Sequence, residues 1–445
     1  MLQYYVRLAF NSFARTPALT ALMAFAIALG IASCVITLTI ERAMSANPIP
    51  GKADRLFTVT MDSWDPNHPA DSDQPQLPPT QLTYQDAIHL FAFGIPHRKV
   101  IMYNVAGALV GGRSAHRPIR ARTRVTTSDF FSMFDVPFQY GAGWNASVDD
   151  GSEPVIVLSR AMNDRLFGGE NSVGKTVRWN DREFRIVGVL GEWLPMPRYY
   201  DLNGPHFAEP EDAYVPWGWG VSLELLSAGN IVCWKSEKTD TFQDLMASEC
   251  AWVQMWVELL DSQARARMQA AVDAYWAEEH AAGRFGRPRN NRLTDVSEWL
   301  EQRGVVQNDN RLLVALSFVF LAVCLVNTVG LLLAKFQNRA QFTGLRRVLG
   351  ATRLSIFMQH LAEVSLLSSA GAVLGLVLAA LGLWGVRVLY ANGPGERGGY
   401  EELAHFDPVS ILWVVALATV VTLAAGLYPA WRIGWMQVGS YLHKQ

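Results

Sequence analysis

The segment Gly169-Glu-Asn-Ser-Val-Gly174-Lys175-Thr176 carries the spacing G-x-x-x-x-G-K-[ST] of a phosphate-binding loop. That chemistry needs a strand before the loop and a helix after it, so that N–H groups at the helix N-terminus face the phosphates. Here the local order is inverted. Arg160–Phe167 reads as a helix with Ser159 as its N-cap, Gly168-Gly169 ends it, and Thr176-Val-Arg-Trp179 reads as a strand. The match is therefore expected to be a turn that binds no nucleotide. Nine histidines are scattered along the chain, and no Ser/His/Asp, paired-carboxylate or metal-ligating constellation stands out. The sequence thus predicts no catalytic residue, no metal site and no cofactor held by this chain. Neither Cys233 nor Cys250 belongs to a C-x-x-C motif. In an oxidising compartment the two can be bonded or free, and both states stay open.

A different chemistry, recognition by a partner protein, is offered by residues 338–360. Leu345, Val348, Leu349, Leu354, Ile356 and Phe357 mix there with Arg346, Arg347 and Arg353, and Gly350-Ala351-Thr352 separates two short helical stretches. Such an element lies at a membrane surface, where a cytoplasmic partner can grip it; the plainer reading is a basic loop that sets topology. Glu363 follows at the start of an apolar window. A charge costs about 2.5–3.5 kcal/mol at a bilayer centre and much less near the interface. Glu363 is thus placed at the interface, either paired with a basic residue of the coupling element or solvated. Gly371, Gly375 and Ala379 recur every four residues, which allows close helix approach, with a helix of the same chain favoured as the partner.

The elements that must position these residues are membrane helices. Four windows, 17–40, 312–334, 364–386 and 409–427, contain no charged residue. Each is long enough to cross roughly 30 Å of hydrocarbon. The formal charge of −2 says little as an average, but its distribution is informative. Arg7 and Arg15 precede the first window without an acid, and Lys335, Arg339, Arg346, Arg347 and Arg353 separate the second from the third. Arg432 and Lys444 follow the fourth, whereas Glu396, Glu401, Glu402 and Asp407 lie between the third and fourth. The positive-inside rule places the basic segments in the cytoplasm and residues 44–310 outside it. Glu41-Arg42 stand where a small-residue cleavage site would be needed, so the first window is expected to remain as an anchor in the inner (plasma) membrane. Cys34 and Cys324 fall inside windows and read as packing residues.

The expected fold class is an integral membrane α-helical protein with four transmembrane helices. A large mixed α/β extracytoplasmic domain is inserted between the first and second. The segments are a cytoplasmic amphipathic helix over 1–16, a membrane helix over 17–43, the domain over 44–290 and a stalk helix over 291–310. A second membrane helix over 311–336, the coupling element over 337–360 and a third helix over 361–390 follow. A short outer loop over 391–408, a fourth helix over 409–430 and a cytoplasmic tail over 431–445 complete the chain. Within the domain, Val155-Ile-Val-Leu158 reads as a strand, 176–179 and 183–189 as a hairpin around Asn180-Asp181, and 261–281 as a helix. The acidic, Pro-rich stretch 62–79 reads as a mobile loop. Trp217, Trp219, Trp234, Trp252 and Trp256 crowd one region, either filling a core or forming a surface for an apolar substrate, lipid or partner.

Several of these stretches resemble one family. Gly344-Leu-Arg-Arg-Val-Leu-Gly-Ala-Thr352, Gln359-His-Leu-Ala-Glu363 and the glycine-rich helix after it resemble the signature of FtsX-like, MacB-type ABC transporter permeases. Tyr428-Pro-Ala-Trp-Arg432 is similar to that family's motif near its last helix. Phe130-Phe131, Val136-Pro137, Arg165-Leu-Phe-Gly-Gly169, Val173-Gly-Lys-Thr176 and Ile186-Val-Gly-Val189 resemble its extracytoplasmic domain, while residues 195–290 match nothing in it. Gln341 departs from the acidic residue the family often carries there. The resemblance implies docking of an ABC ATPase by Leu345, Arg346, Arg347, Leu349, Gly350, Ala351, Thr352, Ser355 and Ile356. It implies two such ATPase subunits, holding ATP and magnesium on another polypeptide, and a second permease subunit, identical or not. A periplasmic adaptor and an outer-membrane protein would join them in an efflux pump. Export or efflux by transmitted motion is the implied function. Lipoprotein or lipid extraction and control of a cell-wall hydrolase are its rivals, with a non-transporting sensor as the alternative outside that class. No nucleic acid is implied.

Overall fold

Among the described residues three helices are long and apolar enough to cross a membrane, Pro17–Arg42, Leu312–Phe336 and Leu354–Val386. The structure is a computed structural model that describes residues 2–45, 47–114, 117–204, 206–305, 308–337, 350–391, 412–416 and 419–420. Of the fourth window only residues 412–416, 419 and 420 are described, and Leu345, Arg346, Arg347 and Leu349 lie outside the described residues. Two units are present, one of Met1–Ser45 with Val306–Gln445 and one of Ala46–Val305.

In the first unit the amphipathic helix Leu2–Arg15 leads into the first apolar helix, Pro17–Ser45. The second apolar helix is Asn308–Gln337 and the third is Arg353–Ala391. The third runs without a break across the expected boundary at 360/361. Gly350, at φ +98°, breaks the chain, and the Thr352 hydroxyl then accepts the Ser355 N–H at 3.2 Å as an N-cap. No Gly or Pro interrupts residues 353–370, so the latter half of the expected coupling element and the membrane helix form one rod. At 1.5 Å per residue its 39 residues extend about 58 Å, roughly twice a bilayer's hydrocarbon thickness.

The glycine stripe faces the first apolar helix of the same chain. A Cβ at Gly371 would lie 2.7 Å from Cγ2 and 2.9 Å from Cβ of Ile27, and one at Gly375 would lie 3.0 Å from the Ala28 carbonyl oxygen. Ala379 is fully buried in the same seam. On its other side the first helix approaches the second, where Gly30 faces the Leu321 backbone, and Cys34 donates to the Ser317 carbonyl at 3.3 Å. Ile27 is β-branched and stiff at χ1, so it cannot yield cheaply to a larger residue at 371. Gly371→Val is therefore expected to lower membrane-unit stability by about 1–3 kcal/mol. Thermal unfolding in detergent measures this, and a variant as stable as the parent would contradict the close seam.

The second unit is built on one ten-stranded sheet. Its strands are β1 (Leu56–Thr60), β2 (Arg98–Val110), β3 (Ile119–Thr126), β4 (Phe138–Gly141) and β5 (Val155–Leu158). They continue with β6 (Thr176–Trp179), β7 (Arg182–Leu190), β8 (Ala213–Pro216), β9 (Gln254–Glu258) and β10 (Arg292–Asp295). The spatial order is β10-β1-β9-β2-β3-β8-β5-β7-β4, with β6 bridging β2 and β7. The β3–β8 and β5–β7 pairs are parallel and the remaining pairs antiparallel. The β6–β7 hairpin turns on Asn180 and Asp181, both at positive φ, as a two-residue hairpin turn of the primed type requires. Helix Arg160–Phe167 is capped by the Ser159 hydroxyl, which accepts the Met162 N–H, and ends on Gly168 in the left-handed region.

Two sequence expectations change here. Residues 291–310 do not form a single stalk helix. Arg292–Asp295 pairs with β1, Asp295 caps the short helix Val296–Gln302, and Gly304 at φ +64° ends it. The domain therefore runs to Val305 rather than 290. The stretch 62–79 is tied down rather than loose. Arg287 pairs with Asp62 at 2.9 Å, Asn290 and Arg292 each donate to the Gln76 carbonyl at 2.9 Å, and Gln74 donates to the Gln302 carbonyl at 3.1 Å.

The tryptophans divide in favour of the core. Trp252 and Trp256 are buried and Trp217 nearly so, while Trp219 and Trp234 are half-buried. Tyr103 meets Trp217 and Trp252 edge-on, at 5.4 and 4.9 Å between centroids, the geometry that ring quadrupoles favour.

Candidate functional site

Glu363 lies on the third apolar helix, seven residues beyond Ile356, and is 2% exposed. Its Oε1 pairs with Lys335 Nζ from the end of the second apolar helix, and Lys335 is also 2% exposed. The same oxygen accepts from the Ser12 hydroxyl on the amphipathic helix. Lys335 Nζ stands 4.8 Å over the Phe13 ring. His360 Nδ1 lies 3.9 Å from the other carboxylate oxygen, and its ring leans on Phe336 at 4.2 Å. Three helices thus converge on one carboxylate. An unpaired charge in this low-dielectric position would cost several kcal/mol, so the pair holds only while all three helices stay in place.

The expected placing of Glu363 is met in part. The carboxylate is buried rather than solvated; its lysine partner comes from the membrane helix before residues 337–360, and His360, the last residue of that segment, stands 3.9 Å from its other oxygen. Lys335 and Glu363 sit on either side of residues 338–349, which lie outside the described residues. Of the expected docking residues, Gly350, Ala351, Thr352, Ser355 and Ile356 are described. Ser355 donates its hydroxyl to the Thr352 carbonyl at 2.9 Å, Ile356 is buried, and the neighbouring Leu354 is 68% exposed. Sequence reasoning missed Ser12 and His360. Ser12 gives no signal, since a serine on an amphipathic helix is ordinary, whereas Lys335 at the edge of an apolar window was a visible cue.

A second polar constellation lies within the sheet domain. Arg124 on β3, fully buried, donates to Asp201 at 2.5 Å, to Gln254 at 3.0 Å, and to Glu211. Arg198 reaches Glu211 at 3.4 Å, Tyr200 donates to Glu211 at 3.1 Å, and Asn104 donates to Asp201 at 2.7 Å. Burial alone would raise both carboxyls, but the Arg124 and then the Arg198 guanidinium hold Asp201 and Glu211 below the ordinary carboxylate range. Two cations and two anions balance, which identifies this group as the anchor of the 198–211 excursion on the sheet.

The phosphate-loop look-alike is a turn by its hydrogen bonds. The Gly174 N–H goes to the Ile186 carbonyl at 2.8 Å, the Lys175 N–H to Ser172 at 3.0 Å and the Val173 N–H to the Asn171 side chain at 3.1 Å. These three N–H groups are spent on the fold. Cys233 and Cys250 are joined by a disulfide next to the bridge between Val232 and Ala251. Among the described residues no group of three His, Cys, Asp or Glu could hold a metal ion.

Residues 20–275, more than half of the chain, match the MacB-like periplasmic core domain, and residues 314–438 match the FtsX-like permease C-terminal domain. The chain therefore belongs to the FtsX-like, MacB-type family of ABC transporter permeases. It is a membrane protein with an extracytoplasmic domain. It is 23% identical over 357 residues to the macrolide export ATP-binding/permease protein MacB of Syntrophobacter fumaroxidans, covering 71% of this chain and 48% of that protein. It is 22% identical over 414 residues to the pyoverdine export ATP-binding/permease protein PvdT of Pseudomonas aeruginosa, covering 92% and 54%. The chain spans about half the length of these relatives. A crystal structure of the periplasmic region of MacB from Actinobacillus actinomycetemcomitans aligns with a TM-score of 0.37 and 14% identity, over 58% of this chain and 96% of that one.

Proposed function

We propose that this permease converts ATP hydrolysis, carried out by a cytoplasmic ABC ATPase outside residues 1–445, into movement of its extracytoplasmic domain during export. The observation that carries the proposal is the Ser12–Glu363–Lys335 junction. It holds together the helices on both sides of the basic segment where an ATPase would dock, so a displacement of that segment is passed to the second and third apolar helices together. The docking residues are Leu345, Arg346, Arg347, Leu349, Gly350, Ala351, Thr352, Ser355 and Ile356. The basic segments and both termini face the cytoplasm in this reading. A fourth apolar helix completes the membrane unit. Two permease subunits and two ATPases, with ATP and magnesium held by the latter, make the assembly, and an adaptor and an outer-membrane protein extend it.

Export is preferred to lipid extraction because Trp217, Trp252 and Trp256 are turned into the core rather than presented as an apolar surface. The relatives named above carry macrolide and pyoverdine export in their names. The test is co-expression with the ATPase of the same transport system, followed by purification and assay. The ATPase is expected to co-purify, and Arg346→Glu with Arg347→Glu should weaken that association at least tenfold while leaving the melting temperature unchanged. Purification free of any ATPase, or full ATPase association by the double variant, would refute the proposal.

A further inference from the structure

The sheet domain contains a cavity of about 360 Å³ that the transport reading does not use. Its walls include Trp64, the loop carboxylates Asp71 and Asp73, Gln81, Asn230 and Arg303. The volume lies in the range of small-molecule sites, which combine an apolar wall with a few convergent polar groups.

Arg303 is the unusual member. It donates from Nη2 to the Leu202 carbonyl at 3.3 Å and stacks over Trp299 at 5.7 Å, but forms no ion pair among the described residues. Its Nε has no hydrogen-bond partner. Burial pushes this guanidinium below its ordinary value, and the more distant Asp71 only partly offsets that. Other arginines of the domain with little exposure are differently placed: Arg124, Arg198 and Arg284 each pair with two or more carboxylates, and Arg287 pairs with Asp62. Arg303 is a half-buried cation lining the cavity, with no ion pair among the described residues.

The same cavity is also lined by groups of the opposite chemistry. Asp71 and Asp73 are exposed on one loop, where the Asp71 carboxylate also accepts the Asp73 N–H at 2.9 Å. Gln81 donates its amide to the Trp252 carbonyl at 3.1 Å and leaves its side-chain oxygen without a partner. These groups accept hydrogen bonds and attract a cation, while Trp64 and two prolines give the apolar surface. The cavity is also preformed. Val232 and Ala251 in its wall form a β-bridge beside the Cys233–Cys250 disulfide, and the 62–79 loop is pinned by Arg287, Asn290 and Arg292. A site held in shape loses less on binding than one that must be ordered by its ligand.

We infer that this cavity binds a small zwitterion of the amino-acid and short-peptide class, its carboxylate on Arg303 and its ammonium toward Asp71 and Asp73. A simple anion would meet the two aspartates, and a simple cation would meet Arg303. Only a ligand carrying both charges satisfies both the guanidinium and the carboxylates.

Isothermal titration of the full chain in nanodiscs with dialanine, N-acetyl-dialanine, dialanine amide and inorganic phosphate tests this inference. Dialanine is expected to bind, and blocking either terminus should weaken binding at least tenfold. Arg303→Gln should bind dialanine and its amide alike, and Asp71→Asn, on an exposed loop position that does not threaten folding, should reduce the penalty for acetylation. The inference fails if dialanine does not bind at about 10 mM. It fails equally if the blocked peptides bind as well as the free one, or if phosphate binds as tightly, which would mark a plain anion site. Should Arg303→Gln not fold, Asp71→Asn decides alone: an unchanged acetylation penalty overturns the assignment.

Discussion

Lys335→Met is expected to destabilise the membrane unit by about 3–5 kcal/mol, because it strands the Glu363 carboxylate in a buried position without its counter-charge. The Ser12 hydroxyl remains as a donor, but one neutral hydrogen bond does not replace an ammonium. Met retains most of the aliphatic packing against Phe13, so the loss is one of charge rather than volume. The double variant Lys335→Met with Glu363→Leu removes both charges and is expected to recover most of the loss, since buried pairs replaced by apolar residues are often neutral or stabilising. Thermal unfolding of the four members of this cycle in detergent measures the coupling. Equal losses in the single and double variants would show that the pair is not the source of the stability. If the junction also transmits motion, the recovered double variant should remain folded yet lose stimulation of the partner ATPase by the permease.

Arg124→Met should cost the sheet domain about 3–5 kcal/mol at neutral pH for the same reason, two carboxylates being left with Arg198 alone. The pH dependence gives this prediction a sign. Asp201 and Glu211 are held below their ordinary values in the folded domain. Their contribution is therefore fully present above the unfolded carboxyl value of roughly 4 and is lost as pH falls through the folded values. In the variant burial is no longer opposed to the same extent, so the carboxyls titrate higher and the acid-dependent loss shrinks. The gap between parent and variant should narrow below about pH 4. Chemical denaturation at pH 7 and pH 3.5 measures it; a gap that is constant or widens in acid would exclude the electrostatic account.

Features with short-range causes could be read from the sequence. The Ser159 cap, the Asn180-Asp181 turn and the strand Val155–Leu158 each depend on residues within one turn of chain. The glycine repeat every four residues pointed to a helix seam because a small side chain acts on its immediate neighbour. The missed features depend on distance. Ser12 and Glu363 are 351 positions apart, and nothing in either neighbourhood names the other. Arg-Leu-Thr-Asp at 292–295 has too little apolar alternation to read as a strand until β1 supplies its ladder. Arg124 sits in a run of alternating arginines that pattern reasoning assigns to solvent, yet its carboxylates arrive from the 198–211 excursion. The helix beginning at Arg353 was divided by hydropathy, although the backbone has no reason to stop between Arg353 and Ala391.

The pairing of β1 with β10 has a mechanical consequence. The chain comes from the first apolar helix into β1 at Leu56 and leaves β10 at Asp295 toward the second, and Phe57 lies opposite Asp295 in the antiparallel register. Tension applied through both connections pulls on the same end of the two strands. Such a load does not shear the ladder, which would strain every rung at once; it opens the rungs one after another, from Phe57 opposite Asp295 toward Thr60 opposite Arg292. A small separation of the two strand ends there can be absorbed by one hydrogen-bonded pair while the rest of the sheet keeps its register.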